Sequence, residues 1–326
     1  MQHNRLGTLF EVSALTLGGG GIGQVWGETT REEAVATVRD AYAAGITFFD
    51  MAPMYGDGEA ERVMGHAFAD GYPDDVRVTS KCMIGAFAPD AIEARLTQSL
   101  QDSYERLCRE YIDVFILHGF VIPDGWQAAK RPSVLPHIAI EHSVYTNVVV
   151  PVFESWIASG KIGAFGVTAA SIQESNLGVL AESKTPAVIQ CITNVLDSPG
   201  NLAISDEVPD PRSVISAAHR AGIGVMGIRA VAAGALATAI DREVKPHSAE
   251  ARDFQRAALF RTFAAERGLS PAALAHRYAL SIPGVDTLVL GVKNREELSE
   301  CLLAEAAPRL SETEMSDIDA LLPQQE

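Results

Sequence analysis

Ile46-Thr47-Phe48-Phe49-Asp50 follows Gly45 and reads as a short buried strand that stops on an acid. The run is too short for a helix, is rich in β-branched and aromatic residues, and has a glycine in front of it to make the turn. The pattern recurs. Val76-Arg77-Val78-Thr79-Ser80 stops on Lys81, and Ile112-Asp113-Val114-Phe115-Ile116-Leu117 stops on His118. Residues 14–17 form a similar run before these, and residues 163–167, 187–190, 224–226 and 287–290 follow, which makes eight candidate strands. Short runs that are apolar on both faces belong to parallel sheets covered by helices.

Helix signals lie between the runs. Thr30 stands at the N-cap of a helix over 31–44, with Glu33 at the capping-box position. Pro89 opens a helix that runs to about Cys108, and Ser171 precedes Gln173 and Glu174 at another start. Ser270-Pro271 places proline at a first helical position. Eight strands alternating with helices predict an α/β fold, a single (β/α)8 TIM-type barrel over 1–326, with an open doubly wound sheet as the alternative. Residues 4–16, with Leu6-Gly7-Thr8 and Glu11-Val12-Ser13, predict an N-terminal β-hairpin that covers the bottom of the barrel. Residues 119–148 form the one long irregular stretch, with Pro123, Pro132, Pro136 and, just past its end, Pro151. A loop of that length points to function.

A parallel barrel gathers its active site at the C-terminal strand ends. Asp50, Lys81 and His118 end three consecutive runs, and Tyr55 follows Asp50 in the next loop. A strand-terminal Asp alone is often a cap, and a lone His is more often structural. The four together suit carbonyl reduction. Hydride addition to a carbonyl carbon builds an alkoxide that needs a proton, and a tyrosine with a pKa of about 10 is a slow donor or acceptor unless tuned. An adjacent ammonium lowers that pKa. Lys81 can supply the charge, Asp50 can orient Lys81, and His118 can hydrogen-bond the carbonyl oxygen.

Asp50-Met51-Ala52-Pro53-Met54-Tyr55-Gly56 resembles the D-x-A-x-x-Y-G signature of the aldo-keto reductases. Thr79-Ser80-Lys81 and Leu117-His118 resemble that family's strand-end lysine and histidine, and residues 6–15 its opening hairpin. The likeness runs from about residue 5 to 303. It implies an NAD(P)-dependent oxidoreductase acting on an aldehyde, ketone or aldose. Tyr55 would be the general acid/base, Lys81 and Asp50 would tune it, and His118 would orient the substrate. Gln190 matches the family's nicotinamide-binding glutamine. Where the family usually has Ser-Asn the chain has Thr168-Ala169, and where it usually has a stacking aromatic the chain has Ile228-Arg229.

Gly291-Val292-Lys293-Asn294 precedes a helix, and a phosphate at a helix N-terminus beside a lysine is physically sensible. The alternative is an ordinary capped connection. The family's usual asparagine near the end of this motif is Cys301 here. Lys293 is the cation placed for a 2′-phosphate, with Arg295 close behind, while Glu297 one turn on opposes a second negative group. The resemblance implies NADP(H) or NAD(H), with modest discrimination and a slight lean to NADP(H). Gly18, Gly20 and Gly23 formally match G-x-G-x-x-G, but residues 24–29 intervene before a helix can start, unlike a Rossmann unit. They predict instead a glycine-rich loop, Gly21 included, that lets cofactor or substrate approach. Trp26, Trp126 and the 119–148 loop are the candidates for the substrate pocket.

The formal charge of −16, from 42 acidic and 26 basic residues, repels nucleic-acid phosphates and anionic lipid. The expected partner is a small carbonyl or sugar, with no nucleic acid and no membrane. Cys82, Cys108, Cys191 and Cys301 lie far apart with no metal-ligand spacing, so reduced thiols in a cytoplasmic protein are expected. Two other functions fit a barrel with these residues. Lys81 could form a Schiff base in an aldolase-type lyase, or the chain could be a non-catalytic cofactor-binding subunit.

Overall fold

The computed structural model describes residues 1–127, 131–170 and 172–322. Eight parallel strands close into a barrel: β3 (Leu15–Gly18), β4 (Phe48–Asp50), β5 (Arg77–Cys82), β6 (Ile112–Leu117), β9 (Ile162–Ala169), β10 (Val188–Ile192), β11 (Gly224–Ile228) and β12 (Thr287–Leu290), in that order and back to β3. Before them β1 (His3–Arg5) and β2 (Glu11–Ser13) pair antiparallel, which is the expected hairpin. Among the described residues no helix is long and apolar enough to cross a membrane, and all four cysteines are free, with only Cys108 exposed.

The period of two along each strand sorts the side chains. Phe49, Phe115, Phe165 and Ile189 face the helices and join the large outer core. Phe48, Val114, Ile116, Val188 and Met226 face the barrel axis and pack on Leu6 and Val12 of the hairpin. The hairpin therefore seals the N-terminal end. Burying each of those two side chains contributes roughly 1.5–3 kcal/mol. Two residues further along the strands, the same inward parity reaches the opposite mouth. It carries Phe48 to Asp50, Thr79 to Lys81, Ile116 to His118 and Val188 to Gln190.

Several strands run past the expected limits. The fifth spans 162–169, the sixth reaches Ile192 and the seventh Ile228. The added residues continue the ladders, because ladder bonds use backbone and each strand has neighbours on both sides. The second begins two residues late: Ile46 N instead bonds Ala41 O to finish the preceding helix, and Thr47 N bonds Ser13 Oγ.

Helix α1 is one turn, Gly19–Ile22, and replaces the expected open loop. Gly21 is glycine for packing: a Cβ there would lie 2.0 Å from Val292 O. The helices α2 (Arg31–Ala43), α3 (Glu59–Ala67) and α4 (Pro89–Leu107) follow. Thr30 caps α2 by accepting from Glu33 N at 3.2 Å, but the capping box stays half-made because the Glu33 carboxylate pairs with Arg295. Ser171 lies outside the described residues.

The described residues of 119–148 hold more regular structure than the prolines suggest. β7 (Phe120–Ile122) and β8 (Ala139–Glu141) pair in parallel, with α5 (Leu135–Ile138) just before β8. From His142 the chain is already helical, through α6 (His142–Val144) and a π-turn (Tyr145–Val149) into α7 (Val150–Ala158). Pro151 explains the π-turn. It has no N–H for the carbonyl four residues back, so the backbone widens and Val150 N bonds Tyr145 O instead. The outer layer is completed by α8 (Gln173–Leu180), α9 (Pro211–Arg220), α10 (Ala249–Arg256), α11 (Ala258–Glu266), α12 (Pro271–Ser281), α13 (Arg295–Ala306) and α14 (Glu312–Asp319). As expected, Ser270 caps α12 with Pro271 in its first turn.

Candidate active site

Asp50 ends β4, and its 2% exposed carboxylate is the hub of the barrel mouth. Its Oδ2 accepts from Lys81 Nζ at 2.7 Å, and its Oδ1 accepts from Thr79 Oγ1 at 2.6 Å. Gln190, on the strand opposite β4 in the barrel, reaches across to donate from Nε2 to the same Oδ1 at 2.8 Å. A buried carboxylate with three donors is fixed in place, and its desolvation is offset by the ammonium.

Lys81 is fully buried and donates a second bond, to Tyr55 Oη at 2.9 Å. Tyr55 stands in the turn after β4, and His118 Nε2 lies 3.5 Å from the same hydroxyl. The two rings meet edge-on, with centroids 5.6 Å apart. The structure therefore brings Asp50, Tyr55, Lys81 and His118 into one contiguous set, with the phenol at its outer end.

Burial pushes the Tyr55 phenol above its ordinary value. Lys81 pulls it down and Asp50 pushes it up, so the net effect is a rise. The sequence pointed to a lowered value, because the Lys81 charge was visible there and the desolvation was not. Burial works to lower the Lys81 ammonium, but Asp50 and Tyr55 outweigh it and hold it above the ordinary lysine value. Burial, aided by Lys81, holds His118 well below the usual imidazole range. At neutral pH the set thus consists of a protonated phenol, a charged ammonium and a neutral imidazole.

The other sequence candidates separate into groups. Thr168, inward at the end of β9, has a buried Oγ1 with no partner among the described residues. Ile228 ends β11. Arg229, just beyond it, sits at φ 61° and bonds Asn201 Oδ1 at 3.2 Å, while its Nε and Nη2 are shut from solvent without a partner among the described residues. Asn294 caps α13 by accepting from Glu297 N at 2.9 Å. Lys293 is ion-paired with Glu297 at 2.6 Å and with Asp241. Trp26 packs on Gly20 and Gly291, with Arg242 over its ring at 5.5 Å. Trp126 packs instead on the cluster around Phe120, Ile122 and Ile192, away from the residues that Trp26 touches.

Two features escaped the sequence reading. Thr79 was detectable from its inward parity with Lys81. Asp241 had no local signal, being an acid in a loop that meets Lys293 only in three dimensions.

The residues present fit a nicotinamide dinucleotide. Buried donors without a partner among the described residues, Thr168 near the end of β9 and Arg229 just past β11, flank Gln190 on β10, whose amide oxygen takes no part in the bond to Asp50. Buried donors without partners are costly, and a polar ligand would satisfy them.

The sequence profile of the Aldo/keto reductase family matches residues 14–323. L-galactose dehydrogenase of Arabidopsis thaliana is 25% identical over 329 residues, 97% of this chain and 92% of that protein. The NADH-specific methylglyoxal reductase of Escherichia coli (strain K12) is 26% identical over 310 residues, 88% of this chain and 83% of that protein. A crystal structure of an aldo/keto reductase from Klebsiella pneumoniae in complex with NADP and acetate shares the fold, with a TM-score of 0.70 at 22% identity, covering 99% of this chain and 97% of that one. With a family profile over nearly its whole length and this barrel behind it, the chain belongs to the aldo/keto reductase family and is an NAD(P)-dependent oxidoreductase of carbonyl compounds.

Proposed function

We propose that Tyr55 is the general acid/base of this oxidoreductase, that Lys81 and Asp50 set its proton affinity, and that His118 orients the substrate carbonyl. The observation that carries this reading is the Tyr55 hydroxyl held 2.9 Å from a buried ammonium and 3.5 Å from an imidazole at the open end of the barrel. The bound nicotinamide supplies or accepts the hydride. The chain's own residues handle the proton and the charge. In reduction Tyr55 gives its proton to the substrate oxygen as negative charge develops there, and the Lys81 ammonium stabilises the phenolate left behind. The neutral His118 ring hydrogen-bonds the same oxygen. Gln190, Thr168 and Arg229 are the proposed cofactor contacts within the mouth, together with the segment Gly291, Lys293, Asn294 and Glu297.

The substrate class we favour is a small aldehyde, ketone or aldose. The two relatives are named for an aldose and for a ketoaldehyde, and Trp26 and Trp126 are the aromatic faces proposed for the substrate. The β7–β8 segment forms the pocket wall above His118. A cytoplasmic location suits the four unpaired thiols. The Schiff-base reading is disfavoured by the raised Lys81 ammonium, because a nucleophilic amine must first lose its proton. A non-catalytic subunit has no need for a phenol, an ammonium and a carboxylate in one bonded line.

The test is pH dependence in both directions across a panel of aldehydes and aldoses. Reduction needs protonated Tyr55. Its kcat/KM should stay flat from about pH 6.5 to about 10 and fall only as pH rises through the raised phenol value. Oxidation needs the phenolate and should climb over that same high range. A break in the reduction profile near neutrality, or no turnover of any carbonyl compound, would remove Tyr55 from this role.

A further inference from the structure

The connection after β12 carries the cations expected to meet a 2′-phosphate, and every one of them is already paired. Lys293 Nζ lies between two carboxylates, Asp241 and Glu297, the latter at 2.6 Å. Glu297 also accepts from Lys293 N at 2.8 Å, so it is tied to this segment twice. Thr29 Oγ1 donates to Lys293 O at 2.8 Å, and the lysine stem lies along Gly27, so the side chain is only 14% exposed. Arg295 is turned away to Glu33, with bonds of 3.1 and 2.9 Å. Arg242 donates to Ala233 O at 2.9 Å, lies over Trp26, and comes within 3.9 Å of Asp241. Lys293, Arg242 and Arg295 are thus balanced locally by Asp241, Glu297 and Glu33.

We propose that Asp241 and Glu297 make this segment a 2′-hydroxyl site, so that the chain takes NAD(H) in preference to NADP(H). The proposal rests on the nicotinamide reading above and deepens it. A phosphate monoester brings about −1.5 to −2 charges at neutral pH. To reach Lys293 it must displace two carboxylates and then sit beside them as a like charge. A ribose 2′-hydroxyl brings no charge and can donate to either carboxylate, leaving the lysine paired. The slight lean to NADP(H) came from the family resemblance and weighed Glu297 alone against Lys293. The Asp241 contact, which comes from the β11 connection 52 residues away, tips that balance.

Calorimetric titration of the full chain with NAD+ and NADP+ tests this without relying on turnover. NAD+ should bind about 30-fold more tightly, a difference of about 2 kcal/mol. The double variant Asp241→Asn/Glu297→Gln keeps the shape of the site but removes both charges. It should gain about tenfold or more in NADP+ affinity, about 1.4 kcal/mol, while NAD+ affinity stays level or weakens a few-fold. Equal or tighter NADP+ binding by the wild type would overturn the proposal, as would a double variant with an unchanged affinity ratio. If neither dinucleotide binds, the proposed function fails along with it. A preference for NADP+ defeats this inference alone and leaves the role of Tyr55 intact.

Discussion

Tyr55→Phe lowers kcat by about 10²–10⁴-fold, the usual contribution of a positioned acid/base group. The phenol is the group of the set that gives the substrate its proton, and no other described hydroxyl lies on Lys81 Nζ. The variant loses a single oxygen from a half-buried ring, so the barrel should fold normally. Cofactor affinity should change little, because Thr168, Gln190 and the segment after β12 are untouched. The expected signature is a collapse of kcat with a nearly constant cofactor dissociation constant. That pattern marks an interaction made mainly in the transition state. Turnover within a few-fold of wild type would mean that another group moves the proton.

Lys81→Met should abolish most activity and destabilise the protein as well. Without the ammonium, burial and Asp50 both push the Tyr55 phenol further up, so the phenolate left after proton transfer has no partner. We expect kcat to fall on the order of 10²–10³-fold, with the rise of the oxidation profile moved to still higher pH. Asp50 is then a buried carboxylate without its cation, an arrangement that costs about 3–5 kcal/mol. Denaturant unfolding should show this loss. Asp50→Asn on top of Lys81→Met should recover much of the stability, because the amide carries no charge, and none of the activity. Were Lys81 a Schiff-base nucleophile, borohydride in the presence of substrate would leave a covalent adduct on the wild-type chain. Our account expects none, and an adduct found by mass spectrometry would favour the lyase reading.

The strand ends were legible because of one simple regularity. Three consecutive buried runs stop on a polar residue of the same parity, so Asp50, Lys81 and His118 had to point into one barrel mouth once the strands were parallel. The hairpin was legible from Leu6 and Val12, apolar residues in a segment too short to build a core of its own. Contacts across the barrel were not legible. Gln190 and Asp50 are 140 residues apart, and nothing local to either tells which amide reaches which carboxylate. Asp241 and Lys293 meet only because the connection after β11 folds back over the connection after β12. The direction of the Tyr55 shift depends on how dry the hydroxyl is, and that is set by the packing of several loops. The strand pair inside 119–148 was hidden by its prolines, which here sit at turns and at the first turn of α5 and leave β7 and β8 free to pair.

The central claim is that this barrel moves a hydride between a nicotinamide and a carbonyl carbon, with Tyr55 moving the proton. The most direct test uses reduced cofactor carrying deuterium on the transferring face of the nicotinamide, with an aldehyde accepted by the enzyme, followed by mass spectrometry of the alcohol. The account predicts one deuterium at the former carbonyl carbon, with label transfer nearly lost in Tyr55→Phe. Alcohol formed without deuterium from either face of the cofactor would contradict it.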